Sequence, residues 1–236
     1  MKLIIENWRK YLNESIHPRI QQQIDALLAI PDLGIEIETQ SGGGAPAMTF
    51  EYVEIHDDSS YTPISGLSNW KGGDTSQWKP KREDLPAGDV TIVFADKERT
   101  GECYGGWIIA GTAVEPMGEG WGPLLYEIAL EWASQNSDGL TSDRTDVTEF
   151  AQAVWNKYEQ RGDVKRKQMD IVNPEYWKPP LKQITPEDPS DDCKQDAAVR
   201  SGSRSEWPKS PLSKMYYKPG TEVIQILKKE GRLFEK

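Results

Sequence analysis

Thiol and imidazole side chains are scarce in this chain. It holds two cysteines and two histidines in 236 residues. Cys103 and Cys193 lie far apart in sequence, and neither His17 nor His56 stands at ligand spacing from a cysteine or a carboxylate pair, so no metal site is read from the pattern. Free thiols in a reducing compartment are the expectation for two isolated cysteines, a disulfide being the alternative. No Gly-x-Ser-x-Gly elbow occurs, which removes one common route to a Ser/His/Asp hydrolase. No apolar run approaches the ~20 residues of a membrane span, and no signal-peptide pattern is present. The expectation is a cytoplasmic protein without a membrane partner.

Positive charge is also in short supply. Lys+Arg number 28 against 38 Asp+Glu, a net charge of −10. Nucleic-acid binding needs a cationic face, so no nucleic-acid partner is expected. The same sign is compatible with a basic partner. Only four Phe are present, and nine Trp and nine Tyr supply the large apolar groups of a chain whose mean hydropathy is −0.68.

What is present is organised around residues 105–158. Gly106-Trp107-Ile108-Ile109-Ala110-Gly111-Thr112-Ala113-Val114 reads as a buried strand closed by Glu115-Pro116. A glycine-rich loop follows, Met117-Gly118-Glu119-Gly120-Trp121-Gly122. From Pro123 to Gln135 the apolar residues recur at helical spacing, with proline at the first helical position. Strand, glycine turn and helix together aim free backbone N–H groups and a positive helix end at one spot, which favours an anion.

The flanking segments follow the same rules. Leu3–Leu12 and Arg19–Leu28 read as amphipathic helices separated at His17-Pro18. Ile35–Thr39 and Met48–Ile55 read as antiparallel strands around a triple glycine, and residues 57–81 as a surface excursion pinned by Trp70 and Trp78. Gly88–Ala95 is a strand, Leu140–Ser142 a short one, and Val164–Val172 a candidate last one. Asp146 and Glu149 have capping-box spacing ahead of a helix whose apolar face is Val147, Phe150, Ala151, Val154, Trp155 and Tyr158. Prolines break the chain from Asn173 onward, and a short helix spans Thr221–Glu230. The predicted organisation is helices over 1–30, a domain over 31–180 and an extension over 181–236.

Met-Gly-Glu-Gly-Trp-Gly-Pro-Leu-Leu resembles the cofactor-binding motif of the GNAT acyltransferases, Arg/Gln-x-x-Gly-x-Gly/Ala at the start of a helix. The stretch from Thr148 to Tyr158 is similar to that family's Asn-x-x-Ala-x-x-Leu-Tyr helix. The resemblance covers residues 88–172. It implies an α/β (α+β) fold with a mixed, mostly antiparallel sheet flanked by helices, and it implies acetyl-CoA as cofactor, held by Val114, Met117, Gly118, Glu119, Gly120, Trp121 and Gly122. It further implies transfer of an acetyl group to an amine, on a small molecule or a protein. Trp155 falls where the family places a proton-donating tyrosine, so Tyr158 is the substitute candidate, and Glu115 at the strand end is the candidate base.

Two departures set up an alternative. Met117 replaces the family's Arg or Gln, and Glu119 puts a carboxylate where phosphates would lie, which is repulsive. A cofactor-free GNAT-like scaffold would result if Glu119 itself satisfied the helix N-terminus. The segment Glu6–Glu14 is similar to N-terminal tags of proteins carried by tailed bacteriophages, which implies phage structural partners and a location in host cytoplasm or virion.

Overall fold

Alternation of apolar and acidic residues builds the first ladder. Strand β1, Leu33–Gln40, runs antiparallel to β2, Ala47–Ile55, with Ile37 opposite Phe50 and Glu36 opposite Glu51. The structure is a computed structural model describing residues 16–40, 45–64, 84–95, 103, 105–115, 120–173, 175, 178–194, 197 and 204–236. The expectations for the Leu3–Leu12 helix and its tag, the triple glycine, Trp70, Trp78, and Met117, Gly118 and Glu119 lie outside these residues.

Strand β3, Tyr61–Pro63, adds to β2 on one side. Strand β4, Ala87–Phe94, joins β2 antiparallel, and β5, Trp107–Glu115, joins β4. Helix α1, Pro18–Leu28, precedes this sheet and opens with proline after His17. It buries Ile20, Gln23, Ile24 and Leu27, residues spaced for one face. Helix α2, Gly122–Asn136, carries the chain from β5 back to β6, Leu140–Thr141, which lies parallel to β5. Helix α3, Glu149–Gln160, leads to β7, Lys165–Gln168.

The expected strand over Val164–Val172 divides. Its second half, β8 at Asp170–Ile171, leaves the main sheet and pairs in parallel with β9, Asp192–Cys193. The division falls at Met169, which is fully buried and donates its N–H to the Ser213 carbonyl. Asp170 then accepts from the N–H groups of Ile171, Ile184 and Thr185, tying the following loop to β8. Strand β10, Lys214–Tyr217, inserts between β6 and β7. Helix α4, Glu222–Lys229, then leads to β11, Leu233–Glu235, parallel to β1.

The described strands thus follow the order β11-β1-β2-β4-β5-β6-β10-β7, with β3 beside β2. The α+β class expected from the sequence is what the chain adopts: a mostly antiparallel sheet with helices. The stretch expected as an extension after residue 180 supplies one strand inside that sheet and one at its edge.

One core joins α1, α2, α3 and α4 to the sheet residues Ile35, Phe50, Val90 and Trp107. On the other face of β5, Ile108 joins Ala95, Met169, Met215, Cys103 and Cys193. The two cysteines form a disulfide across 90 residues, so the expectation of free thiols is corrected. Long-range pairing of β4, β5 and β8–β9 brings together sulfurs that sequence spacing keeps apart.

Candidate functional site

The parallel pair β5–β6 is brief. Leu140 and Thr141 meet only Trp107 and Ile108, so from Ile109 onward the β5 edge has no partner on β6. A bulge between Thr91 and Ile92 of β4 leaves Ala110 without a counterpart across that ladder. Such a bulge bends the strand and shifts its alternation by one residue. Ile109 and Thr112 therefore both turn toward α2. The open edge of β5 floors a cavity of about 240 Å³.

Of the residues implied as cofactor ligands, Val114, Gly120, Trp121 and Gly122 line this cavity. Glu115 ends β5, its backbone opposite Ala87. Tyr52 fixes the loop's exit: its hydroxyl donates to the Trp121 carbonyl at 2.8 Å, and the two rings meet edge to face. Gly120 has φ +103, a conformation that side chains resist, and an added Cβ would meet the Gln23 amide at 3.3 Å. Among the described residues helix α2 has no side-chain cap at Trp121; Pro123 has no N–H and the Leu124 N–H donates to the Trp121 carbonyl at 3.3 Å, so the Gly122 N–H is the first-turn donor left to water or a ligand.

Tyr158 takes a different place. It is 2% exposed, packed by Trp155, Tyr216 and the Arg161 guanidinium, and borders a separate hollow of about 20 Å³ rather than the cavity. Burial pushes its hydroxyl well above the ordinary tyrosine range, with Glu127 adding to the shift. Trp155, the motif position, lies one turn earlier and walls a hollow of about 150 Å³ beside the cavity.

Several wall residues carry no local signal in the sequence. Arg19 reaches the cavity because α1 packs on α2, a contact between segments a hundred residues apart. Tyr126 lines the cavity from α2, its hydroxyl pushed up to about 12 by burial, which the Thr112 hydroxyl opposes and the Asp143 charge reinforces. The remaining wall was readable: Phe150, Ala153, Val154 and Lys157 are spaced i, i+3, i+4 and i+7 on α3.

Phe150, expected in the core, is 59% exposed. The reason is the helix start. Asp143 accepts from the N–H groups of Thr145 and Asp146, making a turn, and Thr148 rather than Asp146 caps α3 by accepting from the Ala151 N–H. The later start leaves Phe150 in the first turn, at the cavity wall.

No protein-family model matches the chain, and neither does any curated protein or solved structure. The class that can be stated is an α+β domain with a cavity at the opening between two parallel strands.

Proposed function

We propose that the protein is an acyltransferase of GNAT type that moves an acetyl group from acetyl-CoA to an amine. One observation carries the reading: the edge of β5 that β6 leaves unpaired floors a cavity that also takes in the start of α2, which has no side-chain cap among the described residues. Free amides along a strand edge suit an extended amide-bearing chain such as the pantetheine arm, by the rules of strand addition. An uncapped helix start suits a phosphate. Acetyl-CoA, when bound, supplies the activated acyl group.

The cationic wall fits this ligand as well. Arg19 and Lys157 line the cavity, and neither has an ion-pair partner among the described residues. The Arg19 guanidinium lies 4.0 Å from where a Cβ on Gly120 would stand. Met117 deprives the loop of the family's own cation, and Arg19 supplies one from another helix.

Isothermal titration with acetyl-CoA and with CoA tests the reading. Micromolar binding is expected, weakened at least tenfold, about 1.4 kcal/mol, in Arg19→Glu. Arg19 is exposed, so that variant keeps its fold. Absence of heat at millimolar ligand overturns the transferase reading and leaves a cofactor-free scaffold, the reading Glu119 favours.

A further inference from the structure

Oxygen donors converge where the small second sheet begins. Asp170 opens β8 and Asp192 opens β9, and the parallel register sets the two residues side by side. Asp191 precedes Asp192 at the end of a single 3-10 turn, Pro189–Asp191. One carboxylate oxygen from each of the three lies within 4.8 Å of the other two. Asp170 is 1% exposed and Asp191 7%, so two of these carboxylates are withdrawn from bulk water.

The chain itself holds Asp170. Its Oδ1 accepts from the N–H groups of Ile171 and Ile184, and its Oδ2 from the Thr185 N–H. The Thr185 hydroxyl, 3.4 Å from that Oδ2, donates to Asp191 Oδ2 at 2.8 Å, which turns the Asp191 side chain toward Asp170. Asp191 Oδ1 is different: it is buried and has no hydrogen-bond partner. A buried carboxylate oxygen without a donor is costly, and like charges this close repel. Among the described residues neither Asp170 nor Asp191 has an ion-pair partner. A bound cation removes both penalties at once.

We propose that Asp170, Asp191 and Asp192 hold a divalent cation, with Asp191 Oδ1 as its buried ligand and calcium as the ion. The donors are all oxygen, which selects a hard cation over zinc or copper. Calcium–oxygen distances of about 2.3–2.6 Å let oxygens up to about 5 Å apart share one ion. Thr185 and Ser190 are exposed at this end of the small sheet, so water has access to complete the shell. Cys193, next to Asp192, is bonded to Cys103, so the ion would fasten the loop between β8 and β9 at a point already tied to the segment before β5. The site is separate from the β5 cavity and does not depend on acyl transfer. Cysteine and histidine spacing gives no sign of it, because the three oxygens meet only once β8 pairs with β9.

The test uses the whole oxidised protein, stripped with a chelator and titrated by calorimetry with calcium and, separately, magnesium at 150 mM salt. Trp207 packs on Ile171, the neighbour of Asp170, so terbium at the site should show tryptophan-sensitised luminescence that calcium displaces. One calcium per chain is expected, with a melting midpoint that rises as calcium is added. Asp191→Asn keeps an acceptor for Thr185 and should weaken calcium at least tenfold. Asp192→Asn, at a half-buried position, should do the same, and Glu187→Gln, exposed on the same loop, should not. Without calcium the Asp191→Asn midpoint should be no lower than the parent's, since one of three like charges is gone. Magnesium binding more tightly, with the same dependence on Asp191 and Asp192, supports the site and changes the ion. No calcium heat with an unmoved midpoint, or equal weakening in all three variants, overturns the proposal.

Discussion

Replacing Lys218 by methionine removes the centre of a buried charge cluster. The Lys218 ammonium lies 2.8 Å from Glu127 Oε1 and 2.6 Å from Glu131 Oε1, with its side chain 3% exposed and both carboxylates fully buried. Arg161 grips Glu127 from the other side with two N–H groups. Two anions and two cations balance, with Asp163 and Glu222 at the margin. Burial acts to raise the Glu127 carboxyl, and Arg161 and Lys218 outweigh it and hold it below the usual range. Burial pushes Glu131 up to about 7 against the pull of Lys218 and the Ile224 N–H.

Methionine fills most of the lysine's volume and leaves Glu131 with only the N–H groups of Val223 and Ile224. Breaking one side of a buried pair costs about 3–5 kcal/mol. In a chain of this size that lowers the melting midpoint by about 6–20 °C. Thermal melts followed by circular dichroism at pH 7.5 and pH 5 measure it. Glu131 has a folded pKa above its unfolded one, so its contribution is fully present below about 4.5 and is lost as pH rises through about 7. The variant's deficit should therefore shrink at pH 5, where Glu131 holds a proton. Adding Glu131→Gln should recover at least half of the loss at pH 7.5. A Lys218→Met protein within about 1 kcal/mol of the parent at pH 7.5 would refute the argument, since ordinary surface pairs are worth that little.

Asp89 has the same sign of dependence: burial lifts its carboxyl from 3.8 to about 6, with Thr91 opposing, so stability is full below pH 3.8 and falls as pH rises through 6. Asp89→Asn should gain up to about 3 kcal/mol at pH 7.5 and nothing near pH 3.5, as read by urea denaturation. Cys103→Ser with Cys193→Ser opens a 90-residue loop and should cost up to about 4–5 kcal/mol; thiol titration of the unreduced parent should find no free sulfhydryl. Trp155 is 1% exposed, with the rings of Tyr126, Tyr158 and Tyr216 within 5.9 Å, so Trp155→Ala should lose about 3–5 kcal/mol by chemical denaturation. Phe150→Ser, at an exposed wall position, should leave stability within about 0.5 kcal/mol by the same method.

Strands paired with near neighbours were legible because alternation and turn chemistry are local. β1, β2, β4 and β5 fall within a few residues of their predicted spans, as do α1, α2 and α4. β10 was not legible. Its four residues, Lys214-Met215-Tyr216-Tyr217, sit between Pro211 and Pro219, and what makes them a strand is the gap between β6 and β7. Pairing with segments 46 or more residues away leaves no mark in the local pattern. The cavity divides in the same way. Val114, Gly120, Trp121 and Gly122 were visible in the strand–turn–helix order, whereas Arg19, Tyr126 and Thr112 depend on how helices settle on the sheet.

Lys218 connects these two halves of the structure. It follows β10 directly, its own N–H donates to Ser134, and its ammonium meets Glu127 and Glu131 on successive turns of α2. Glu131 also accepts from the first N–H groups of α4, so one carboxylate closes the end of that helix while bracing another. The end of the chain thereby holds the middle of α2, and Tyr52 holds its beginning through the Trp121 carbonyl. Between these two anchors the first turn of α2 faces the cavity, with no side-chain cap among the described residues. None of Glu127, Glu131, Lys218 or Arg161 lines the cavity on β5 or the hollow beside it. Their charges offset one another in the core, while Arg19 and Lys157 on the cavity wall have no ion-pair partner among the described residues. A helix braced in its middle by buried charges and at its start by Tyr52 holds its first turn in one orientation, and under the proposed reading that preorganisation lowers the ordering cost of binding a phosphate there.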